Sequence, residues 1–82
     1  MNDYEIFRVL LEARDRDDDV VLATVVRTQG SVPRHAGSRM IVWPDGRTVG
    51  TVGGGMLESR VVEMALQAVR DGKPQMLTCQ LA

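Results

Sequence analysis

Over residues 48–71 the hydrophobic pattern changes period across three consecutive glycines. Thr48 to Val52 reads as a strand, and Gly53-Gly54-Gly55 follows directly. Leu57, Val61, Met64, Ala65, Ala68 and Val69 then recur at the spacing of an amphipathic helix over about 56–71. Gly72 and Pro74 stop that helix in the usual order. A strand joined this tightly to an amphipathic helix implies a sheet on which the helix buries its apolar face.

The remaining elements follow from similar signals. Residues 3–16 show helical periodicity, with Tyr4, Phe7, Leu10, Leu11 and Arg14 on one face and Ile6 and Ala13 beside it. Asn2 or Asp3 can cap the start, and the Asp15–Asp19 run ends the helix in a solvated turn. Val20 to Val26 is a near-continuous β-branched run, predicting a strand buried on both faces. A second strand is expected over Ser38–Trp43. The Pro44-Asp45-Gly46-Arg47 turn pairs it with the Thr48–Val52 strand as a hairpin. Gln75 to Leu81 reads as a last strand. The expected fold is a small α/β (α+β) two-layer sandwich in the order α-β-β-β-α-β. Its sheet is expected to be mixed, with about four strands, and to carry two helices.

With 82 residues there is room for one domain, read as residues 1–82. A chain this short buries only about 60% of its unfolded surface, which leaves room for a second domain or a partner chain. Net charge is −1, against a nucleic-acid module that relies on bulk electrostatics. The charge is uneven: residues 1–19 hold seven acids and three bases, net −4, and residues 20–82 hold seven bases and four acids, net +3. Aromatics are scarce, so Met40, Met56, Met64 and Met76 are expected as gap-fillers in an aliphatic core. Cys79 is the single cysteine and is read as a core residue. No intramolecular disulfide, no spanning apolar run and no signal-like N-terminus point to the cytoplasm, with no membrane or nucleic-acid partner.

Two segments could carry chemistry. A helix start exposes unpaired N–H groups and partial positive charge. Gly53, Gly54 and Gly55 would let a ligand approach that backbone, making either an anion cradle or simply a tight turn. Glu58, in the first turn, either complements the helix dipole or accepts a hydrogen bond from a ligand. The second segment is the loop of about ten residues containing Gly30-Ser31-Val32-Pro33-Arg34-His35. Its Ser31 hydroxyl and Arg34 guanidinium suit phosphate or carboxylate, the alternative being a structural loop. His35 has no spaced partner for a metal, and no nucleophile–base–orienter set stands out, so an independent enzyme is not expected.

Gly30-Ser31-Val32-Pro33-Arg34-His35-Ala36-Gly37-Ser38-Arg39-Met40, the hairpin Asp45-Gly46 and Gly50-Thr51-Val52-Gly53-Gly54-Gly55-Met56-Leu57-Glu58 together resemble the N-terminal domain of the XdhC/CoxI family, the xanthine dehydrogenase accessory factors. The resemblance covers about residues 3–82. It implies a maturation factor that binds molybdenum cofactor (molybdopterin) transiently and assists its insertion into a client molybdenum hydroxylase, of xanthine dehydrogenase or carbon monoxide dehydrogenase type. It points to Gly30, Ser31, Pro33, Arg34, Gly53, Gly54, Gly55 and Glu58 as cofactor-binding positions. Two departures stand out. Where many CoxI-like members carry Cys after the glycine pair, this sequence has Gly55 or Met56, so a thiol ligand to molybdenum is not expected there. The family's Rossmann-like C-terminal domain is not expected in this chain, which reads as a split protein or a fragment. The alternative function is an interaction module without cofactor, docking on a client hydroxylase, a Rossmann-like subunit or, as a homodimer, itself. A fragment of a nucleotide-dependent enzyme ranks behind both, because no dinucleotide motif is present.

Overall fold

The computed structural model describes residues 2–26, 37–53 and 55–74. The elements are α1 (Asp3–Asp15), β1 (Val21–Thr24), β2 (Arg39–Val42), β3 (Thr48–Gly50) and α2 (Gly55–Asp71). This is a small α+β domain. Its described strands form one antiparallel sheet in the order β1-β2-β3. The strand expected over 75–81, on which a fourth, mixed pairing depended, lies outside the described residues, as do Met76 and Cys79.

Local chemistry explains the boundaries. Asn2 is extended, and its side chain accepts the Glu5 N–H at 2.9 Å, capping α1. The helix ends where Asp17 turns left-handed at φ 57°. There the Asp18 N–H donates to the Ala13 carbonyl at 2.9 Å and the Asp17 N–H to that of Arg14 at 3.0 Å, the double bond of a Schellman cap. The hairpin turn closes as expected: Gly46 donates to the Trp43 carbonyl at 2.9 Å and carries a φ of 92°. Gly72, at φ 66°, ends α2 by donating to Ala68 at 2.8 Å.

The helices cover opposite faces of the sheet, so the layers number three and not the expected two. On one face Ile6 and Ala13 of α1 pack with Ile41 and Trp43, joined by Val9, Leu10, Val20 and Val49. On the other, Met40, Val42 and Val52 pack with Ala65 of α2, joined by Leu57, Val61, Val62 and Leu66. Alternate residues of β2 therefore serve alternate cores, and β2 is the strand buried on both faces. The Val20–Val26 run, expected in that role, supplies β1, whose exposure alternates. Its edge position leaves Leu22 partly uncovered.

The orientation of α1 also corrects the sequence reading. Ile6, Val9, Leu10 and Ala13 face the sheet, while Tyr4, Phe7 and Leu11 are exposed. Both stripes have helical spacing, so periodicity could not choose between them. A fitted contact favours the first. The hydrogen of Gly50 leaves space into which Ile6 packs: a Cβ built at Gly50 would lie 3.0 Å from Ile6 Cδ1 and 2.6 Å from the Arg39 carbonyl oxygen. Met56, expected in the core, is instead 82% exposed at the start of α2.

Candidate functional site

The antiparallel register brings the functional segments to one end of the sheet. Thr24 pairs with Arg39 and Met40 with Gly50. The end of β1, the start of β2 and the end of β3 are therefore neighbours. The ladder extends past β1: Val25 donates to the Ser38 carbonyl at 3.0 Å, and Gly37 donates to that of Val25 at 2.7 Å. These bonds clamp the two anchors of the 27–36 segment beside the strand that leads into the glycine segment. Gly30, Ser31, Pro33 and Arg34 lie outside the described residues, as do His35 and Gly54.

Within the glycine segment Gly53 has φ 125° and Gly55 φ 62°, backbone states that side chains disfavour. A Cβ built at Gly55 meets nothing within 4 Å among the described residues. None of those residues covers the backbone at the start of α2 there. The turn is fixed by Thr51, which sequence reasoning quoted but gave no role. Its hydroxyl accepts the Gly53 N–H at 3.1 Å and donates to Glu58 Oε2 at 2.8 Å. Glu58 is therefore tied across the loop to the end of β3, with its other oxygen, Oε1, free of intramolecular bonds among the described residues. The signal for Thr51 was local: a hydroxyl residue two before a glycine is the pattern of a side-chain turn.

Arg39 is the second residue the sequence left unassigned. It begins β2, pairs with Asp3 at 2.6 Å and lies 5.3 Å from the Phe7 ring centroid. That pair places the start of α1 at the same end of the sheet as the start of α2. Both helix N-termini, the Arg39–Asp3 pair and the Thr51–Glu58 pair thus lie at that end of the sheet, the first pair on the α1 side and the second at the start of α2. Such a mixture suits a polar ligand with both acceptors and N–H donors better than a bare anion, because Glu58 already occupies part of the helix field. No group of three or more His, Cys, Asp or Glu residues is placed to hold a metal among the described residues. No described helix is long and apolar enough to cross a membrane.

The XdhC and CoxI family model matches residues 13–80. An uncharacterized Escherichia coli (strain K12) protein, YqeB, is 38% identical over 77 residues, covering 94% of this chain and 14% of that protein. The molybdenum cofactor insertion chaperone PaoD of the same organism is 35% identical over 68 residues, 83% of this chain and 21% of its own length. A probable xanthine dehydrogenase subunit from Bacillus subtilis (strain 168) is 38% identical over 58 residues, 70% of this chain and 18% of that protein. The chain therefore spans less than a quarter of the length of each of these relatives. No solved structure matches.

Proposed function

Because the chain belongs to the XdhC and CoxI family, we propose that it is a maturation domain for a molybdenum hydroxylase, holding the molybdenum cofactor for delivery to that client. The observation that carries the reading is the meeting of the 27–36 anchors and the Thr51–Glu58 glycine turn at one end of the sheet.

The donor set fits such a cargo. In this reading Glu58 Oε1, unbonded among the described residues, accepts N–H groups of a pterin, the part of the cofactor richest in donors. The backbone at Gly55, uncovered among the described residues, lets a flat or anionic group come close, with Gly53 shaping the turn, and Gly54 is assigned to the same site from its place in the sequence. Ser31 and Arg34 of the Gly30-to-Arg34 segment, with Pro33 stiffening it, are assigned to the phosphate. The molybdenum centre belongs to the cargo and serves the client's chemistry; this chain acts as a carrier and not as a catalyst. The client is a hydroxylase of the cytoplasm, and a Rossmann-like domain or subunit completes the carrier.

Gel filtration of the chain with cofactor, followed by pterin fluorescence, tests this. Co-elution with the wild type, reduced at least about tenfold in both Glu58→Gln and Arg34→Ala, is expected if each removes one charge-assisted bond. Equal retention by wild type and both variants contradicts the site assignment.

A further inference from the structure

β1 stands at one edge of the described sheet. Val25 donates to the Ser38 carbonyl at 3.0 Å, so its N–H points toward β2. Strand alternation turns the N–H groups of Val21 and Ala23 the same way. It turns those of Leu22 and Thr24 outward, where no described strand meets them. Val21, Ala23 and Val25 pack against the α2-side core yet are only half-buried. An edge of this kind accepts a further strand.

The course of α2 says which segment reaches it. α2 leaves the end of β3 through the glycine turn, yet it packs over β2 and β1. Its core extends to Val21 and Val42, which pair at the end of the sheet away from that turn. Its 17 residues span about 25 Å, so α2 carries the chain across the sheet and back to the end where β1 begins. The helix stops there at Gly72. Residues 72–74 reach at most about 10 Å. The outer edge of β3 lies about 14 Å from β1, at about 4.8 Å per strand, so only the β1 edge is within reach. A helical crossover of this length joins parallel strands. β1 satisfies that condition, because β1 and β3 are both antiparallel to β2.

We propose that residues 75–81 add to the outer edge of β1 as a parallel strand. Leu77, Cys79 and Leu81 alternate in that segment and form an apolar face for α2, while Thr78 and Gln80 fall on the other face. Seven extended residues cover about 23 Å, the length of the 20–26 run that they flank. The sheet then has four strands and is mixed. The far end of the added strand comes level with Val25, whose carbonyl accepts from Gly37, and braces the anchors of the 27–36 segment.

Amide hydrogen exchange and backbone NMR contacts on the 82-residue chain test the proposal. Leu22 and Thr24 are expected to exchange at least about tenfold more slowly than Thr48 and Gly50, whose N–H groups face outward on the other edge. Residue 76 is expected close to Val21 and residue 80 close to Val25. Leu77→Asp is expected to speed exchange at Leu22 and Thr24 at least about tenfold, while Ala23, bonded to β2, stays protected. Should that variant unfold, the wild-type rates and contacts decide alone. Leu22 and Thr24 exchanging as fast as Thr48 and Gly50 would overturn the proposal, as would protection of Thr48 and Gly50 instead. Contacts in the reverse order overturn the parallel pairing. Protection that depends on chain concentration would place a second copy on this edge and overturn the assignment of residues 75–81.

Discussion

Replacing Gly50 by alanine tests the close packing that orients α1 on the sheet. The added Cβ would lie 2.6 Å from the Arg39 carbonyl oxygen, 3.0 Å from Ile6 Cδ1 and 3.3 Å from Met40 Cα. Two of these neighbours are backbone atoms of the central strand, so the clash cannot be relieved by one side-chain rotation. The φ of 84° adds a conformational penalty of about 1–2 kcal/mol for a residue with a Cβ. Overpacking adds about 1–3 kcal/mol. The expected loss is therefore about 2–5 kcal/mol, a large part of the roughly 4–12 kcal/mol available to 82 residues at 0.05–0.15 kcal/mol each. Urea unfolding followed by the fluorescence of buried Trp43 measures it. With a slope near 1 kcal/mol per molar, the midpoint should fall by at least about 2 M. Gly46→Ala is the control: its φ is 92°, but a Cβ there meets nothing within 4 Å among the described residues, which leaves the conformational penalty. Equal losses in the two variants would refute the packing argument.

Three further outcomes follow from individual bonds. Asp17→Gly should stabilise the chain by up to about 1 kcal/mol, because Asp17 sits left-handed in the α1 cap; thermal unfolding measures the gain. Asn2→Ala should cost about 1 kcal/mol by removing the acceptor for the Glu5 N–H, read in the same unfolding assay. Thr51→Val frees Glu58 and the Gly53 N–H together, so cofactor retention should fall severalfold while stability drops by no more than about 1 kcal/mol at this exposed position. Thr51→Ser, which keeps the hydroxyl, should restore retention.

Much of this molecule was legible in its sequence, and the misses share a cause. Both helices, the hairpin and its Pro44–Gly46 turn are local, and their caps and turn residues marked them within a residue or two. Which face of α1 is buried is a long-range matter, decided where Ile6 meets Gly50, forty-four residues apart in sequence. Strand order is also non-local. The β-branched Val20–Val26 run suited a central strand by composition, yet the sheet places it at an edge and puts Arg39–Val42 in the middle. The glycine segment and Glu58 were legible as a candidate site because their spacing sits at a helix start. The Thr51 latch emerged only from geometry, since its partner lies seven residues away across a turn.

The claim that one end of the sheet receives the cargo is tested most directly by backbone amide NMR of the chain titrated with molybdenum cofactor. The account predicts shifts concentrated at Val26, Gly37, Thr51, Gly53, Gly55 and Glu58, with the Trp43–Arg47 turn at the opposite end of the sheet unchanged. Saturable shifts centred on that turn, or no shifts at all in a folded chain, would contradict it.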